Sequence, residues 1–373
     1  MVDWHTPRLS RSRLVRVVGS TPLEALTPPP FLNRLTPSNP SREDPHPGAP
    51  LGLEGQSPAE IVERLRRAVR MRHYSRCTER AYAHWTTRFL DYHRPRNPAR
   101  TGTEEIRSFL SHLALDDGVS AATQNQALAA LLFLFRHVFG RQMAPAEGVV
   151  RAKTQKRLPA VLSRGEVNAV LDRMSGVPGL VCGLLYGTGM RLTECLSLRV
   201  KDVDLDGNTF TVRNGKGAKD RVTVLPQRYR PALVEHLERV RRLHEGDLRD
   251  GLGRTRLPYA LAEKHADADR DWGWQYVFPA SGFFTDRETG RRHRHHVHQT
   301  VIQKAMKEAV RRAGLDKPAT PHTLRHCFAS HLLDANLDIR TIQELLGHAD
   351  VQTTMIYTHL ARNRRVRSPA DDP

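Results

Sequence analysis

Cysteine is scarce in this 373-residue chain: Cys77, Cys182, Cys195 and Cys327 are scattered without a CxxC spacing. That excludes a zinc ribbon or a disulfide framework and suits reduced thiols in a cytoplasm. Long apolar runs are missing too. No stretch approaches the ~18 residues of a membrane span, and the first residues lack the apolar centre of a signal peptide, so a soluble protein inside the cell is expected. Acidic residues are in deficit, with 40 Asp and Glu against 58 Lys and Arg, which leaves a net charge of +18 and a pI near 10.4. Such an excess points to a polyanionic partner, nucleic acid first.

Composition divides the chain. Residues 1–55 are proline-rich, with ten of the 24 prolines before residue 51, and show no sustained periodicity; a disordered tail is expected there. Order begins at Ser57-Pro58-Ala59-Glu60, which combines a capping box with proline at the first helical position. Helices are expected from there, from Thr78 to about Tyr92, from Thr103 to Ala114 and from Ser120 to Phe139. In the last of these, Leu128, Leu131, Leu132, Leu134 and Phe135 can close a small bundle, leaving Arg76, Arg80 and Arg88 for its outer face. The polar, basic run RAKTQKRLP marks a linker over 149–160 between this helical domain, 56–148, and a second domain, 161–361, with a tail over 362–373. In the second domain Phe210 and Val212 alternate before Asn214-Gly215, and Val222 and Val224 alternate after it, the pattern of a hairpin with Lys216 at its tip. Residues 241–290 read as irregular, apart from an alanine-rich helix at Tyr259–Ala268.

Several separated fragments carry residues suited to one chemistry. Arg191 follows the small turn Gly187-Thr188-Gly189, where a guanidinium can approach a phosphate closely. His322 and Arg325, three apart, share a helix face. Lys216, His348 and Tyr357 complete the set. Each alone has an ordinary explanation, a solvated charge or a packed ring; together they supply what transesterification of a phosphodiester requires. Tyr357 is the nucleophile, and a late, loosely attached helix is a sensible carrier for it. Arg191 and Arg325 neutralise the charge that develops on the phosphorus, and Lys216 protonates the leaving 5′-oxygen. His322 assists proton transfer at a phenol whose ordinary pKa of ~10 leaves little phenolate at neutral pH, while His348 holds the phosphate or orients the site. The tyrosyl ester keeps the energy of the broken bond, so a second 5′-hydroxyl reverses the step without ATP. No metal or cofactor is called for.

In the order Arg191, Lys216, His322-x-x-Arg325, His348, Tyr357 the chain resembles the tyrosine recombinases, over roughly residues 57–361. The resemblance implies a mainly α protein with a small antiparallel sheet, an N-terminal SAM-like core-binding domain and a C-terminal α+β catalytic domain that close on DNA as a C-shaped clamp. It also implies a 3′-phosphotyrosine intermediate and four protomers on two DNA sites. A narrower resemblance, to integron integrases, rests on His73-Tyr74-Ser75, on Thr78-Glu79-Arg80-Ala81-Tyr82, and on the segment from Leu257-Pro258-Tyr259 through Asp271-Trp272-Gly273-Trp274 to Pro279, which looks like that group's insertion, about 245–280 here. It implies exchange of gene cassettes between a duplex attI site and a folded single strand of attC. Trp272, Trp274, His295 and His296 are the candidates for stacking on extrahelical bases. Three other readings remain: a Xer-type or phage-type recombinase acting on two duplexes, a catalytically silent DNA-binding protein, and a metalloprotein built on the run Arg292-His293-Arg294-His295-His296-Val297-His298. Adjacent arginines weigh against the last.

Overall fold

The computed structural model describes residues 56–94, 101–141, 152, 160–213, 220–257, 261–265, 267–286, 289–348, 354–355 and 357. The proline-rich tail 1–55, all of the linker but 152 and 160, Lys216, Tyr259, Ala266 and residues from 358 onward lie outside them.

Four helices form the N-terminal part: α1 (Pro58–Met71), α2 (Arg76–Tyr92), α3 (Thr103–Leu115) and α4 (Ala121–His137). The capping box expected at Ser57 is present, with the Glu60 N–H donating to Ser57 Oγ and the Ser57 N–H to the Glu60 carboxylate. Ser75 and Ser120 cap α2 and α4, each side chain accepting an N–H three residues on. Ile61, Leu65 and Val69 fall four apart along α1 and enter one core with Phe89, Phe109, Leu128, Leu131, Leu134 and Phe135. Leu132 does not join them. It is 37% exposed, because the inner side of α4 is already filled by Ala127, Ala130 and the flanking Leu131 and Phe133. Of the three arginines expected on an outer face, Arg76 and Arg80 are exposed, but Arg88 is tied to Asp117 at 2.6 Å and lies over Trp85.

The C-terminal part continues with α5 (Arg164–Leu171), α6 (Gly176–Thr188) and α7 (Leu192–Leu196). A three-stranded antiparallel meander follows, of β1 (Val203–Asp204), β2 (Thr209–Val212) and β3 (Arg221–Val224), and then α8 (Arg230–Arg249) and the single turn α9 (Leu261–Lys264). A second, two-stranded antiparallel sheet, β4 (Pro279–Thr285) and β5 (Arg292–His296), precedes α10 (Gln299–Arg312), α11 (Pro321–Asp334) and α12 (Ile339–Leu346). Helix α6 is apolar nearly all round, as a central helix must be. Leu180, Val181, Cys182, Leu184 and Leu185 are buried in a core shared with Ile302 and Met306 of α10 and Leu324 and Cys327 of α11. Among the described residues no helix is long and apolar enough to cross a membrane.

The expected pairing of Thr209–Val212 with Arg221–Val224 is present, and two other local expectations are corrected. The β2–β3 hairpin pairs Phe210 with Thr223 and Val212 with Arg221, so Val222 and Val224 are the exposed residues of β3 while Thr223 is buried. The inner side of β3 is polar because it has polar work there: Thr223 Oγ1 donates to the Thr188 carbonyl at 2.9 Å, and Arg221 is committed to a carboxylate described below. Residues 241–290 are irregular only in their middle, since α8 runs on to Arg249 and β4 begins at Pro279. Of the alanine-rich helix, the described residues hold the turn α9, while 259, 260 and 266 lie outside them; at its far end Ala268 already belongs to a 3-10 turn, Ala268–Arg270, where the backbone and side chain of Asp269 are engaged elsewhere. The Asp269 carbonyl accepts the Thr255 N–H and its carboxylate receives Arg254 at 2.8 Å through both oxygens.

Candidate active site

Helix α6 ends at Gly189, whose left-handed backbone (φ 67°) turns the chain so that Arg191 stands at the start of α7. A Cβ at 189 would lie 2.5 Å from Phe328 and 2.9 Å from Leu346. Both the φ value and the contact therefore call for glycine. Gly189→Ala is expected to lose ~2 kcal/mol or more of unfolding free energy in urea titration. Gly314→Ala, at φ 66° with nothing within 4 Å, should show only the backbone part, ~1 kcal/mol; equal losses would deny the packing contribution.

Glu194, one turn into α7, gathers the cations. It accepts the Arg191 main-chain N–H at 2.8 Å and the Arg191 guanidinium at 2.6 Å. It also takes Arg221 of β3 through both oxygens, at 2.6 and 3.2 Å, and Arg325 Nη1 is 3.9 Å away. Burial raises the Glu194 pKa, but the bonds from Arg221 and Arg191 outweigh it and hold the carboxyl at about 2. One carboxylate against three guanidinium groups leaves this corner strongly positive, a setting for an anion.

Arg325 of α11 is 1% exposed. Nη1 donates to the Gly189 carbonyl at 2.5 Å and Nη2 to the Leu346 carbonyl at 2.6 Å. Those acceptors belong to the C-terminal ends of α6 and α12, where unpaired carbonyls carry partial negative charge and favour a cation. The two bonds tie together the segments that lead into Arg191 and into His348. Burial, and then the charge of Arg191, push the Arg325 pKa down to about 10, so the group is still a cation at neutral pH.

Three histidines and the phenol complete the group. His322 opens α11, and burial, Arg325 and Arg191 lower its pKa. His326, one turn on, packs edge-on to His322 with ring centroids 4.5 Å apart, and its Nδ1 is 2.8 Å from the Tyr357 hydroxyl. His348 follows the left-handed cap of α12 at Gly347, meets Thr354 Oγ1 through Nδ1 at 2.8 Å, and lies parallel to the Tyr357 ring at 6.4 Å. Burial, then nearby charge, lowers both His326 and His348 to about 4, so both imidazoles are neutral at physiological pH. Tyr357 is 3% exposed, packed with Phe328, Ala329, Ile342 and Leu346; most of the segment expected to carry it loosely lies outside the described residues. Burial raises its pKa, while the charges of Arg325 and Arg191 pull the other way.

Of the six residues singled out in the sequence, Arg191, His322, Arg325, His348 and Tyr357 come together, and Lys216 lies outside the described residues. Glu194, Arg221 and His326 were not singled out. Glu194 had a usable signal in its i+3 spacing from Arg191, and His326 in its i+4 spacing from His322; Arg221 had none.

The four proposed base-stacking residues divide among three settings. Trp272 faces His244 and Arg241 of α8. Trp274 carries the Lys201 ammonium over its ring. His295 and His296, 4.1 Å apart, both meet Tyr276, whose other partner is the Arg199 guanidinium, 3.5 Å from the ring centroid. Arg199 also donates to Thr255 Oγ1 and to the carbonyls of Trp274 and Arg256. The histidine-rich run of 292–298 is mostly strand β5, and its Arg294 is buried against Asp247 at 2.6 and 2.7 Å. Among the described residues, no three His, Cys, Asp or Glu side chains gather as a metal site would require.

Comparison with known proteins agrees with this architecture. Residues 161–364 match the model of the phage integrase family, and residues 61–144 match that of the phage integrase N-terminal SAM-like domain. The chain is 46% identical to an integrase/recombinase of Escherichia coli over 84% of its own length and 93% of that protein. It is 32% identical to tyrosine recombinase XerD of Agrobacterium fabrum, over 70% and 77% respectively. Its fold is similar to that of the XerH recombinase bound to difH in a pre-cleavage complex, with a TM-score of 0.54 at 22% identity over 83% of this chain and 84% of that one. The chain belongs to the phage integrase family, the tyrosine recombinases, enzymes that cleave and rejoin DNA by transesterification to a tyrosine.

Proposed function

We propose that this recombinase is of the integron kind, exchanging gene cassettes between duplex attI and folded single-stranded attC through a 3′-phosphotyrosine at Tyr357, with four protomers acting on two sites. Arg191 and Arg325 hold the nonbridging oxygens, Lys216 protonates the leaving 5′-oxygen, His322 handles the phenolic proton, and His348 steadies the phosphate. The observation that carries the chemistry is the gathering of both guanidinium groups, the neutral imidazoles and the buried phenol around one positive corner. Such preorganised charge is the largest single contribution in catalysis of this type. Domains over 56–148 and 161–361 joined by the basic linker, and a cytoplasmic setting for four free cysteines, belong to the same reading.

The choice of a hairpin substrate rests on the part-exposed rings of Trp272, Trp274 and His296 and the exposed His295, in and beside the 245–280 segment. Neutral, flat rings can each take an unstacked base, worth ~1–3 kcal/mol. His295 is held neutral, pushed down to about 4 by burial and by His296. Trp274→Ala and His295→Ala are each expected to cut strand transfer from an attI duplex to a bottom-strand attC hairpin by about tenfold while sparing cleavage of duplex attI. Equal loss on both substrates, or none on either, removes the base-contact reading. Relatives named XerD support a second reading, in which both partners are duplexes; brisk duplex recombination with no product from attC would favour it.

A further inference from the structure

We infer that His326 is a positioning residue for the nucleophile, holding the Tyr357 hydroxyl by a hydrogen bond so that its lone pairs stay free for attack; the inference rests on the reading of Tyr357 as nucleophile. Nδ1 of His326 and the phenolic oxygen are 2.8 Å apart, and the two rings meet at 5.6 Å with a 51° tilt. Helix α11 fixes the place of the acceptor. His326 follows the buried Arg325 directly, and the edge-on ring of His322 lies against it one turn back.

The groups that face His326 are His322, Arg325, Tyr357 and His348. Burial first, then His322 and Arg325, keep the imidazole neutral. With its proton on Nε2, the ring offers a lone pair at Nδ1, and the phenol is the donor. An acceptor so weakly basic does not remove the proton from a phenol whose own pKa is raised by burial; the bond orients the hydroxyl instead. Directing the O–H toward His326 leaves the oxygen lone pairs outside that bond and free to attack, within the field of the Arg325 and Arg191 charges. A nucleophile held in that attitude reaches near-attack geometry without first ordering its hydroxyl, and misplacement by about 1 Å costs about 100-fold.

The test uses the full chain and a nicked suicide duplex at saturating enzyme, reading the single-turnover rate of the denaturation-resistant adduct and, separately, DNA affinity. Asparagine puts an acceptor where Nδ1 lies, glutamine puts one nearer Nε2, and alanine has none. His326→Asn is expected to stay within about threefold of the unaltered chain, while His326→Gln and His326→Ala fall by ~30-fold, with affinity unchanged in all three. A His326→Ala rate equal to that of the unaltered chain overturns the inference. So does His326→Asn as slow as His326→Ala, which would make the ring a base or a filler rather than an acceptor. If His326→Ala fails to fold, the comparison of Asn with Gln still decides, since glutamine nearly restores the volume. An adduct persisting in Tyr357→Phe would sink the nucleophile reading itself; an adduct lost there but undiminished in His326→Ala sinks this inference alone.

Discussion

Tyr357→Phe is expected to form no denaturation-resistant adduct with a nicked attachment site, a loss of at least about 10³-fold, while folding and DNA affinity stay near those of the unaltered chain. The exchange removes one oxygen from a ring packed among Phe328, Ala329, Ile342 and Leu346, so the core loses little volume. What it leaves behind is Nδ1 of His326 without its partner. A half-buried imidazole can recruit water, which limits the cost to ~1 kcal/mol. Gel retardation and thermal melting report the retained fold, and the denaturing gel reports the lost chemistry. An adduct of normal yield would mean that another side chain attacks, and a collapse of binding along with the adduct would mean that the phenol is structural. The same gel addresses a catalytically silent DNA-binding protein, which would give no adduct even with Tyr357 present.

Glu194→Ala is expected to destabilise the protein by about 3 kcal/mol or more. Removing the carboxylate leaves Arg191, Arg221 and Arg325 repelling one another in a buried setting. Urea midpoints measure the loss, and a change within 0.5 kcal/mol would show that the cations do not need it. The acid limb tests the same interaction from the other side. The folded carboxyl titrates at about 2, below its ordinary 4.5, so its stabilisation is complete above pH ~4.5 and is lost as the pH falls toward 2, in all about 3 kcal/mol. In Glu194→Gln that part of the pH slope disappears, and stability between pH 5 and 3 becomes flatter than in the unaltered chain. An identical slope would assign acid sensitivity to other carboxylates. Strand cleavage should fall as well in Glu194→Gln, because Arg191 loses the anchor that sets its direction.

What was legible in the sequence, and what was not, follows from where each residue finds its partner. Arg191 stands beside a glycine turn, His322 and Arg325 lie on one helical repeat, and Tyr357 closes the series; each has a local mark, and the helical architecture followed from caps such as Ser57 and Ser120. Arg221 had no such mark. Alternation in β3 gives a period of two but not which side faces in, and here an ion pair, not an apolar contact, fills the inner side. Helix α8 and strand β5 were missed for a related reason. Their buried members include His236, His244, Asp247 and Arg294, polar groups satisfied by distant partners such as the carbonyls of Val277 and Arg270. A polarity pattern cannot register a burial that depends on such a partnership. Leu132 shows the converse, an apolar residue left outside once its neighbours on α4 had filled the bundle.

Arg325 carries a consequence for reading activity across related chains. Its guanidinium closes the ends of two helices, at Gly189 and Leu346, and a lysine there could not span both carbonyls with a planar fork. A descendant that had ceased to recombine would still need arginine at this position to stay folded. Selection for mere persistence and selection for strand exchange are therefore indistinguishable at residue 325, and decay would surface first at the phenol, whose replacement by phenylalanine the architecture is expected to tolerate.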